Sequence, residues 1–470
     1  MPDVKSAAEL RKAQTRRARY ARGKALRKAV PREAHAEFAS DGRDPVAVLA
    51  RGDSGRISTL LPLRYARMTQ SPFAFLRGAA AVMAADLAGA PAAGVSVQAC
   101  GDCHLMNFGV FASPEDHILF DIDDFDETLP GVDFTVDVKR LCASVAVAAQ
   151  SNGWSERRAR ACAESAAASY RRRMLDLALQ SPLEIWRSRI DLPREIASFD
   201  DPRVSQRLRA ILMKAGRDLE DDDDFPQFVV SKKSGPRIAD RADTIFHLDP
   251  GDATDPTRIF AGYRASLSPE RAAILARYRL ADFAMKVVGV GSVGTFCAVG
   301  LFVSGDGEPL LLQVKEADRS VLESLAPQGR WDGEQGRRVV EGQRILQAAS
   351  DVFLGWVAAP DQGRHFYVRH LKNRTLGSVG DLMEGDALPA YARLCGRTLA
   401  RAHARSGDPA LIAGYMGKSE AFDDAMGAFA MTYAKQTVAD HAALLTARGP
   451  SELAPVKKKA GAAKKTPAPA

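Results

Sequence analysis

The chain has 470 residues, of which 46% are hydrophobic and 26% are charged, so it is long enough to bury a large core and to form two or three domains or lobes. This composition excludes a largely disordered protein. Because no run approaches 18 uninterrupted apolar residues, we expect no membrane span. The N-terminus carries no apolar segment of the kind found in secretory signals, which predicts a cytoplasmic location.

The formal net charge of +7 is carried by the two ends of the chain. Residues 1–35 have a net charge of +8 and residues 451–470 a net charge of +4, which leaves −5 for the rest. We predict a basic N-terminal arm over residues 1–40 and a disordered Lys/Ala/Pro tail over residues 451–470. Such segments can contact nucleic acid or anionic surfaces, but a solubilising extension is the simpler interpretation.

Residues 41–280 are predicted to form a mainly helical lobe. Ser71 before Pro72 indicates the start of one helix, and residues 135–150 and 155–180 have the composition of two long helices. Two short strands are expected before these helices. The first, GVSVQACGD, runs into a loop, and the second, HILFDID, ends in acidic residues.

The following segment, residues 281–371, is predicted to form a small β-rich lobe. The stretch FAMKVVGVGSVGTFCAVGLFV (283–303) indicates two strands around a Gly-rich turn, and LLLQVKEA indicates a third strand after the turn GDGEP. Residues 372–450 are expected to return to the helical lobe. The remaining predicted elements are a helix, a strand and a second helix, at 335–349, 365–371 and 388–404.

The stretch CGDCHLMN at residues 100–107 permits two incompatible interpretations. C-x-x-C-H is the attachment signature of a c-type haem, whereas Asp102 followed five residues later by Asn107 has the spacing of a kinase-type catalytic loop. The haem interpretation leaves Asn107 and the acids that follow it unexplained, so we favour the second. The six cysteines are too scattered for a disulfide framework, and we expect Cys100 and Cys103 to be packed thiols.

The sequence FDIDDFD brings several carboxylates to the end of a strand. Buried carboxylates at this density repel one another unless a cation lies between them, so Asp121 and Asp123 are candidate metal ligands together with Asn107. A solvated acidic turn and a calcium loop are the alternatives, although the Gly and Glu of an EF-hand are absent at their offsets. We favour Mg²⁺, because oxygen ligands combined with nucleotide phosphates suit this ion.

The Gly-rich turn matches G-x-G-x-x-G at Gly289, Gly291 and Gly294, with Ser292 inside the motif. In a dinucleotide-binding protein this turn leads into a helix, but here a second β-like run follows. A Gly-rich turn between two strands is the arrangement that covers ATP phosphates in kinases. An ordinary Gly-rich hairpin is the alternative.

Lys315 lies in the next predicted strand. Period-two alternation places it on one face with Leu311 and Gln313, and a lysine on a mostly buried face needs a partner. Glu341, on the helix predicted at 335–349, is the candidate partner. A pair of a strand lysine and a helix glutamate positions the α- and β-phosphates in kinases; a solvated lysine is the alternative.

Several phrases of the chain, spread over roughly residues 60–435, resemble an uncharacterised, mainly bacterial family, domain of unknown function 2252. That family is grouped with the protein-kinase-like and aminoglycoside-phosphotransferase-like superfamily. The matching phrases are RMTQSPFAFLRG, GDCHLMNFG, FDIDDFDE, VDVKRL, VVGVGSVGT, LLLQVKEA, RRVVEGQRILQAASDVFLGW, FYVRHL and LARAHARSGD.

The resemblance implies roles for individual residues. Asp102 would be the catalytic aspartate and Asn107 a Mg²⁺ ligand. Asp121 would be the principal metal ligand, with Asp123 as second choice. The residues at the ATP-clamping positions would be Gly289, Gly291, Gly294, Lys315 and Glu341, and Asp137 in VDVKRL would brace the catalytic loop.

The resemblance also implies an unusual order of the two lobes. Because Asp102 precedes the Gly-rich turn, the predicted fold is an α+β, two-lobed, protein-kinase-like fold that is circularly permuted, which is physically acceptable since a site depends on its spatial arrangement. We therefore expect an ATP- and Mg²⁺-dependent phosphotransferase acting on a small-molecule hydroxyl group. The alternatives are AMP transfer onto a protein and a non-catalytic nucleotide-binding module.

Overall fold

A computed structural model gives the fold of most of the chain. The residues it describes are 14–40, 42–197, 202, 205–210, 213, 229–232, 235–241, 244–247, 255–326, 331–357, 363–371 and 380–448. The acidic run at 220–224 and the tail at 451–470 lie outside these residues. The described residues form a mixed α+β structure, as the sequence predicts at this coarse level.

The helices cover most of the first and last parts of the chain. In chain order they are α1 Arg16–Leu26, α2 Pro45–Arg51, α3 Leu61–Met68, α4 Pro72–Gly78, α5 Ala80–Leu87, α6 Thr135–Ser151, α7 Glu156–Leu177, α8 Pro182–Arg187, α9 Leu192–Ala197, α10 Pro256–Ser266, α11 Pro269–Leu275, α12 Gln335–Leu346, α13 Leu388–Ser406, α14 Pro409–Met416 and α15 Ala421–Ala447. As predicted, α4 begins after Ser71, whose hydroxyl accepts a hydrogen bond from the amide of Ala74 at 3.0 Å.

In the part of the chain that the structure describes, the strands form one large sheet and three two-stranded ribbons. In chain order they are β1 Ser96–Ala99, β2 Phe108–Ala112, β3 Ile118–Ile122, β4 Leu129–Asp133, β5 Val229–Lys232, β6 Gly235–Ile238, β7 Ile245–Phe246, β8 Tyr278–Lys286, β9 Cys297–Ser304, β10 Pro309–Glu316, β11 Gly355–Val357 and β12 Phe366–His370. The three ribbons are β1 with β4, β2 with β3, and β5 with β6.

The large sheet has six antiparallel strands in the order β11-β12-β10-β9-β8-β7. Strands β8, β9 and β10 follow one another as hairpins, so the two strands around the Gly-rich turn and the third strand are confirmed. In β10, Lys315 lies opposite Cys297 of β9 and Tyr367 of β12. One face of the sheet packs its aromatic side chains against Phe260 and Tyr263 of α10.

Two ribbons place the loop 100–107 beside the acidic turn, which comprises residues 123–128. Strand β1 pairs with β4 and strand β2 pairs with β3, which makes one hairpin nested inside another. The link from β1 to β2 (100–107) and the link from β3 to β4 (123–128) therefore lie side by side between the two ribbons. This topology brings the predicted catalytic loop and the acids into one region.

Helices α6, α7, α13 and α15 form the main helical core. Helix α6 is buried along almost its whole length, which explains its run of Ala, Val and Leu. Helices α7 and α13 approach closely at Gly396, where an added Cβ would lie 2.3 Å from the carbonyl oxygen of Ala166. Small residues thus permit the close helix packing on which the loop 100–107 rests.

The described part of the basic N-terminal arm is folded against the C-terminal helices. The guanidinium of Arg27 donates hydrogen bonds of 2.6 Å to the carbonyl oxygens of Gly414 and Tyr415, and Arg19 pairs with Asp408 at 2.9 Å. Residues 15–36 are therefore not a free extension, because packing on α14 stabilises them. Contact between the chain ends and nucleic acid or anionic surfaces stays a prediction, as do the domain boundaries.

Within the described ranges, no helix combines the length and the apolar character needed to cross a membrane.

Candidate functional site

A cavity of about 230 Å³ lies where several segments meet. Four of these segments are the loop 100–107, the acidic turn 123–128, the Gly-rich turn and the residues that follow β10, and residues 49–81 of the N-terminal helices form a further wall. The predicted site residues that line the cavity are Asp102, Asn107, Gly289, Gly291 and Ser292. The structure thus brings together residues from two distant parts of the sequence.

Asp102 has one carboxylate oxygen held in place and the other without a hydrogen bond. Its Oδ1 accepts hydrogen bonds from Nε and Nη2 of Arg140 at 2.8 Å and 2.7 Å. Nε2 of His104 lies 3.6 Å from Oδ2, too far for a hydrogen bond. Burial lowers the pKa of His104 to about 4, so this imidazole is neutral near pH 7. The arrangement fixes the carboxylate while leaving Oδ2 able to accept a proton or a hydrogen bond.

Asp137 holds the loop from behind. Its Oδ2 accepts a hydrogen bond from the amide of Cys100 at 2.8 Å, and its Oδ1 accepts one from the amide of Gly101 at 3.0 Å. His403 of α13 lies 3.0 Å from the same carboxylate. Gly101 has a φ of +96°, and an added Cβ would lie 2.3 Å from the carbonyl oxygen of Glu127. Asp137 therefore has the contacts expected of a brace for this loop.

Asn107 and Asp124 line the cavity together with Asp102. The Nδ2 of Asn107 donates a hydrogen bond of 2.6 Å to the carbonyl oxygen of Asp102, which turns its Oδ1 away from that contact. Although burial alone would raise the pKa of Asp124, the positive charges of Lys315 and Arg369 lower it below its ordinary value. Asp124 is thus an ionised carboxylate facing the cavity.

Asp121 lies outside the cavity. It is fully buried, and its carboxylate pairs with Arg401 of α13 and accepts hydrogen bonds from the amides of Ile122 at 2.9 Å and Ala348 at 2.8 Å. The structure does not bring Asp121, the predicted principal metal ligand, to the cavity of Asp102, because both of its oxygens accept hydrogen bonds within the core. Its role in this structure is to join β3 to α13.

Asp123 lines a separate, smaller cavity of about 50 Å³, together with Gly109 and Arg369. Burial raises the pKa of Asp123 to about 6. The second-choice metal ligand therefore does not meet Asp102 either. The sequence could not distinguish these acids, since β3 ends at Ile122 and strand alternation no longer predicts which way the following residues face.

Lys315 is 3% exposed and has a carboxylate partner, but not the predicted one. Its Nζ lies 2.6 Å from Oδ2 of Asp126, and the hydroxyl of Tyr367 donates a hydrogen bond of 2.6 Å to Oδ1 of the same residue. Burial alone would lower the pKa of Lys315, but the neighbouring Asp126 carboxylate raises it well above its ordinary value. Lys315 is therefore a firmly protonated anchor for the acidic turn.

Glu341 pairs with Arg337 at 2.7 Å on the outer, partly exposed face of α12. The predicted Lys315–Glu341 pair is wrong, because helix α12 turns Arg338 and Gln343 inward instead. Arg338 was not identified from the sequence. It is 1% exposed and donates hydrogen bonds to the carbonyl oxygens of Asp126 at 2.9 Å and Asp318 at 2.8 Å, so it joins the acidic turn to the segment after β10.

The Gly-rich turn is held by arginines from the N-terminal half. Gly289 and Gly294 have φ values of +69° and +93°, conformations that favour glycine. Arg67 donates a hydrogen bond of 2.5 Å to the carbonyl oxygen of Gly289, and Arg56 donates one of 2.8 Å to that of Gly291. Gly294 packs against Arg56 and is not among the residues lining the cavity. The turn is thus a fixed wall of the cavity.

Arg77 of α4 also lines the cavity. Its Nε is buried and has no hydrogen-bond partner among the described residues. Burial lowers the pKa of Arg77, and the charges of Asp102 and Asp124 oppose this shift. The guanidinium therefore lies in the field of the two carboxylates that face the cavity, and it can receive an anion.

Burial decides the chemistry of the cysteines. All six are free and buried, and burial raises the pKa of both Cys100 and Cys103. We predict that the folded protein reacts slowly with a thiol reagent such as Ellman's reagent, because the thiolate is the nucleophile, and that all thiols react once guanidinium unfolds the chain. Rapid labelling of Cys100 or Cys103 in the folded protein would contradict this prediction.

The described residues contain no group of three or more His, Cys, Asp or Glu side chains that could hold a metal ion. This does not conflict with Mg²⁺ bound together with a nucleotide, since that ion commonly takes one or two protein carboxylates and completes its shell with phosphates and waters. Asn107 and Asp124 suit such a partial site, because both line the cavity and carry side-chain oxygens of the kind that Mg²⁺ takes.

Comparison with known proteins gives one family. Residues 56–447 match the family described as uncharacterised proteins conserved in bacteria, DUF2252. No curated protein and no solved structure matches the chain.

Proposed function

This chain belongs to the DUF2252 family, and from the geometry of its cavity we propose that it is an ATP- and Mg²⁺-dependent phosphotransferase with a kinase-like arrangement of site residues. The observation that carries the proposal is that Asp102 and Asn107 line the same cavity as the Gly-rich turn. A circularly permuted, two-lobed kinase-like fold and a cytoplasmic location are parts of this proposal.

Asp102 orients the acceptor hydroxyl in this proposal. Its Oδ1 is held by Arg140 and its Oδ2 has no hydrogen bond among the described residues, so Oδ2 is the atom that accepts the hydroxyl proton. A carboxylate fixed in this way contributes through positioning and general-base catalysis. Asp137 and Arg140, both on the first turns of α6, keep the loop in place.

Asn107 and Asp124 would hold the Mg²⁺ ion, through Oδ1 of the amide and a carboxylate oxygen. When bound with ATP, the ion neutralises charge on the phosphates. Arg77 lines the same cavity, and its guanidinium would contact a phosphate oxygen. Lys315 acts as a positioning residue, since its contact with Asp126 holds the acidic turn that carries Asp124.

The cavity favours a small-molecule acceptor. Its volume of about 230 Å³ is below the range of about 300–1,000 Å³ usual for ligand pockets, so it accommodates the phosphates and a compact acceptor group. The adenosine portion would extend beyond it, between the Gly-rich turn and the segment after β10. Asp318 and Arg319 line the cavity on that side.

Incubation with labelled ATP tests the proposal against its alternatives. Phosphoryl transfer moves label from the γ-phosphate to water or to an acceptor, whereas AMP transfer moves label from the α-phosphate onto protein. A nucleotide-binding module binds ATP and transfers neither label. Absence of any Mg²⁺-dependent ATP binding at millimolar concentration would refute all three.

The choice of metal ligand gives a sharper prediction. We expect Asp124→Asn to weaken the Mg²⁺-dependent part of ATP binding about tenfold or more, because a charge-assisted contact to the ion is lost. Asp123→Asn is the matched control, since that carboxylate lies in the other cavity, and it should leave the affinity unchanged. Calorimetry of ATP binding with and without Mg²⁺ measures both. The reverse pattern would return the role of metal ligand to Asp123.

A further inference from the structure

A second cavity, of about 240 Å³, lies beside the first turns of helix α6. Its walls combine apolar and polar surface and come from the end of α5, the start of α6 and the segment before residue 327. The residues that form most of this apolar surface are Leu87, Pro91, Val136, Leu325 and Ala326. Ala88, Ala92 and Ser324 on its rim are exposed, so the cavity opens to solvent.

One buried cation, Lys139, lines this cavity. The side chain is 1% exposed and makes no hydrogen bond or ion pair with any described residue. Its Nζ lies 5.0 Å from the centroid of the Phe429 ring, a contact that uses none of its N–H donors in a hydrogen bond. The other buried lysine of the described residues, Lys315, has a carboxylate oxygen 2.6 Å from its Nζ.

The nearest carboxylate on the cavity wall is already saturated. Oδ1 of Asp133 accepts hydrogen bonds from the amide and the hydroxyl of Thr135, at 3.0 Å and 2.6 Å. Its Oδ2 accepts hydrogen bonds from the amides of Gly94 and Val95, at 2.8 Å and 3.1 Å. Asp133 therefore holds the β4–α6 corner and does not serve as a direct partner for the ammonium of Lys139.

A buried cation without an ionic partner is costly to the fold. Burial lowers the pKa of Lys139 to about 8, so at pH 7 the group is still mostly protonated and gains free energy from an anion. Among the described residues, the cavity combines Leu87, Val136 and Leu325 with a lysine that has no ionic partner, and its one carboxylate, Asp133, is held by its own hydrogen-bond donors. Such a wall suits a ligand that has one negative charge and a hydrocarbon body.

We propose that this cavity is a binding site for a small monocarboxylate, with the carboxylate paired to Lys139 and the hydrocarbon part against Leu87, Val136 and Leu325. The two cavities have no lining residue in common. The second site is therefore distinct from the cavity of Asp102, and its existence does not depend on the chain being a phosphotransferase.

Hexanoate is a suitable probe, and hexanamide is its uncharged counterpart. By calorimetry on the full chain we expect hexanoate to bind, and hexanamide to bind about tenfold more weakly or worse, because the charge-assisted contact is lost. The variant Lys139→Met, which keeps the length and apolar stem of the side chain, should weaken hexanoate binding by a similar factor. Lys435→Met is the control, since that lysine is exposed, and it should bind as the unmodified chain does.

A second variant tests the apolar wall without changing the charge. In Ala326→Ile the larger side chain fills part of the cavity and leaves Lys139 in place. This variant should also weaken hexanoate binding. The proposal is overturned if hexanoate does not bind at about 10 mM, if hexanamide binds equally well, or if Lys139→Met has no effect. None of these measurements uses ATP, so their failure is distinguishable from failure of the proposed phosphoryl transfer.

Discussion

Replacing Asp102 with asparagine is expected to lower kcat for phosphoryl transfer by about 10²–10⁴-fold while leaving the Kd for Mg²⁺-ATP nearly unchanged. Asparagine keeps an acceptor oxygen for Arg140, which also donates a hydrogen bond of 2.6 Å to the carbonyl oxygen of Leu76. The loop 100–107 should therefore stay in place. The substitution removes only the carboxylate that accepts the hydroxyl proton. Because this proton moves in the transition state, ATP binding should stay nearly unchanged.

The measurement is γ-phosphate transfer under saturating Mg²⁺-ATP, with calorimetry of ATP binding on the same preparations. Asp306→Asn, in the exposed turn between β9 and β10, is the control and should retain the unmodified rate. If Asp102→Asn transfers phosphate at the unmodified rate, Asp102 does not orient the acceptor. A loss of rate matched by an equal loss of ATP affinity would make Asp102 part of the nucleotide site instead.

Replacing Arg401 with methionine is expected to lower the free energy of unfolding by about 3–5 kcal/mol, because it leaves a buried charge without its partner. The side chains of Arg401 and Asp121 are 0% and 1% exposed. Nε and Nη1 of Arg401 have no partner among the described residues, so the guanidinium depends on Asp121 and on the carbonyl oxygen of Leu346, 2.9 Å from Nη2. This pair joins β3 to α13 and thereby supports the strand that leads into the acidic turn.

Urea unfolding measures the effect, and Arg337→Met is the matched control. Arg337 forms the outer pair with Glu341, with side-chain exposures of 54% and 37%, and pairs of this kind contribute about 0–1 kcal/mol. Equal destabilisation by the two variants would refute the structural role of Arg401. The same measurement also tests Asp121. If Mg²⁺ alone stabilises the unmodified chain and does not stabilise Asp121→Asn, Asp121 is a metal ligand after all.

The sequence by itself predicted most of the local structure around the site. The strands on both sides of the Gly-rich turn and helices such as α6 and α13 follow from periodicity, glycine placement and capping, which are properties of neighbouring residues. Asp102 and Asn107 were found for the same reason, because their spacing lies within one loop. Asp137 was identified by resemblance, and Arg140 could have been found from its position three residues later on the same helix face.

Contacts between distant segments were decided only by the tertiary structure. Lys315 pairs with Asp126 rather than with Glu341. Helix α12 turns Arg338 inward and leaves Glu341 on its outer face. The acids of FDIDDFD separate into a buried partner for Arg401, a residue of the small cavity, and Asp124 and Asp126 at the main cavity, because the strand ends among them. The sequence thus determined which residues can act. The packing of β3, α12 and α13 decided which carboxylate is used in the core and which ones face the cavity.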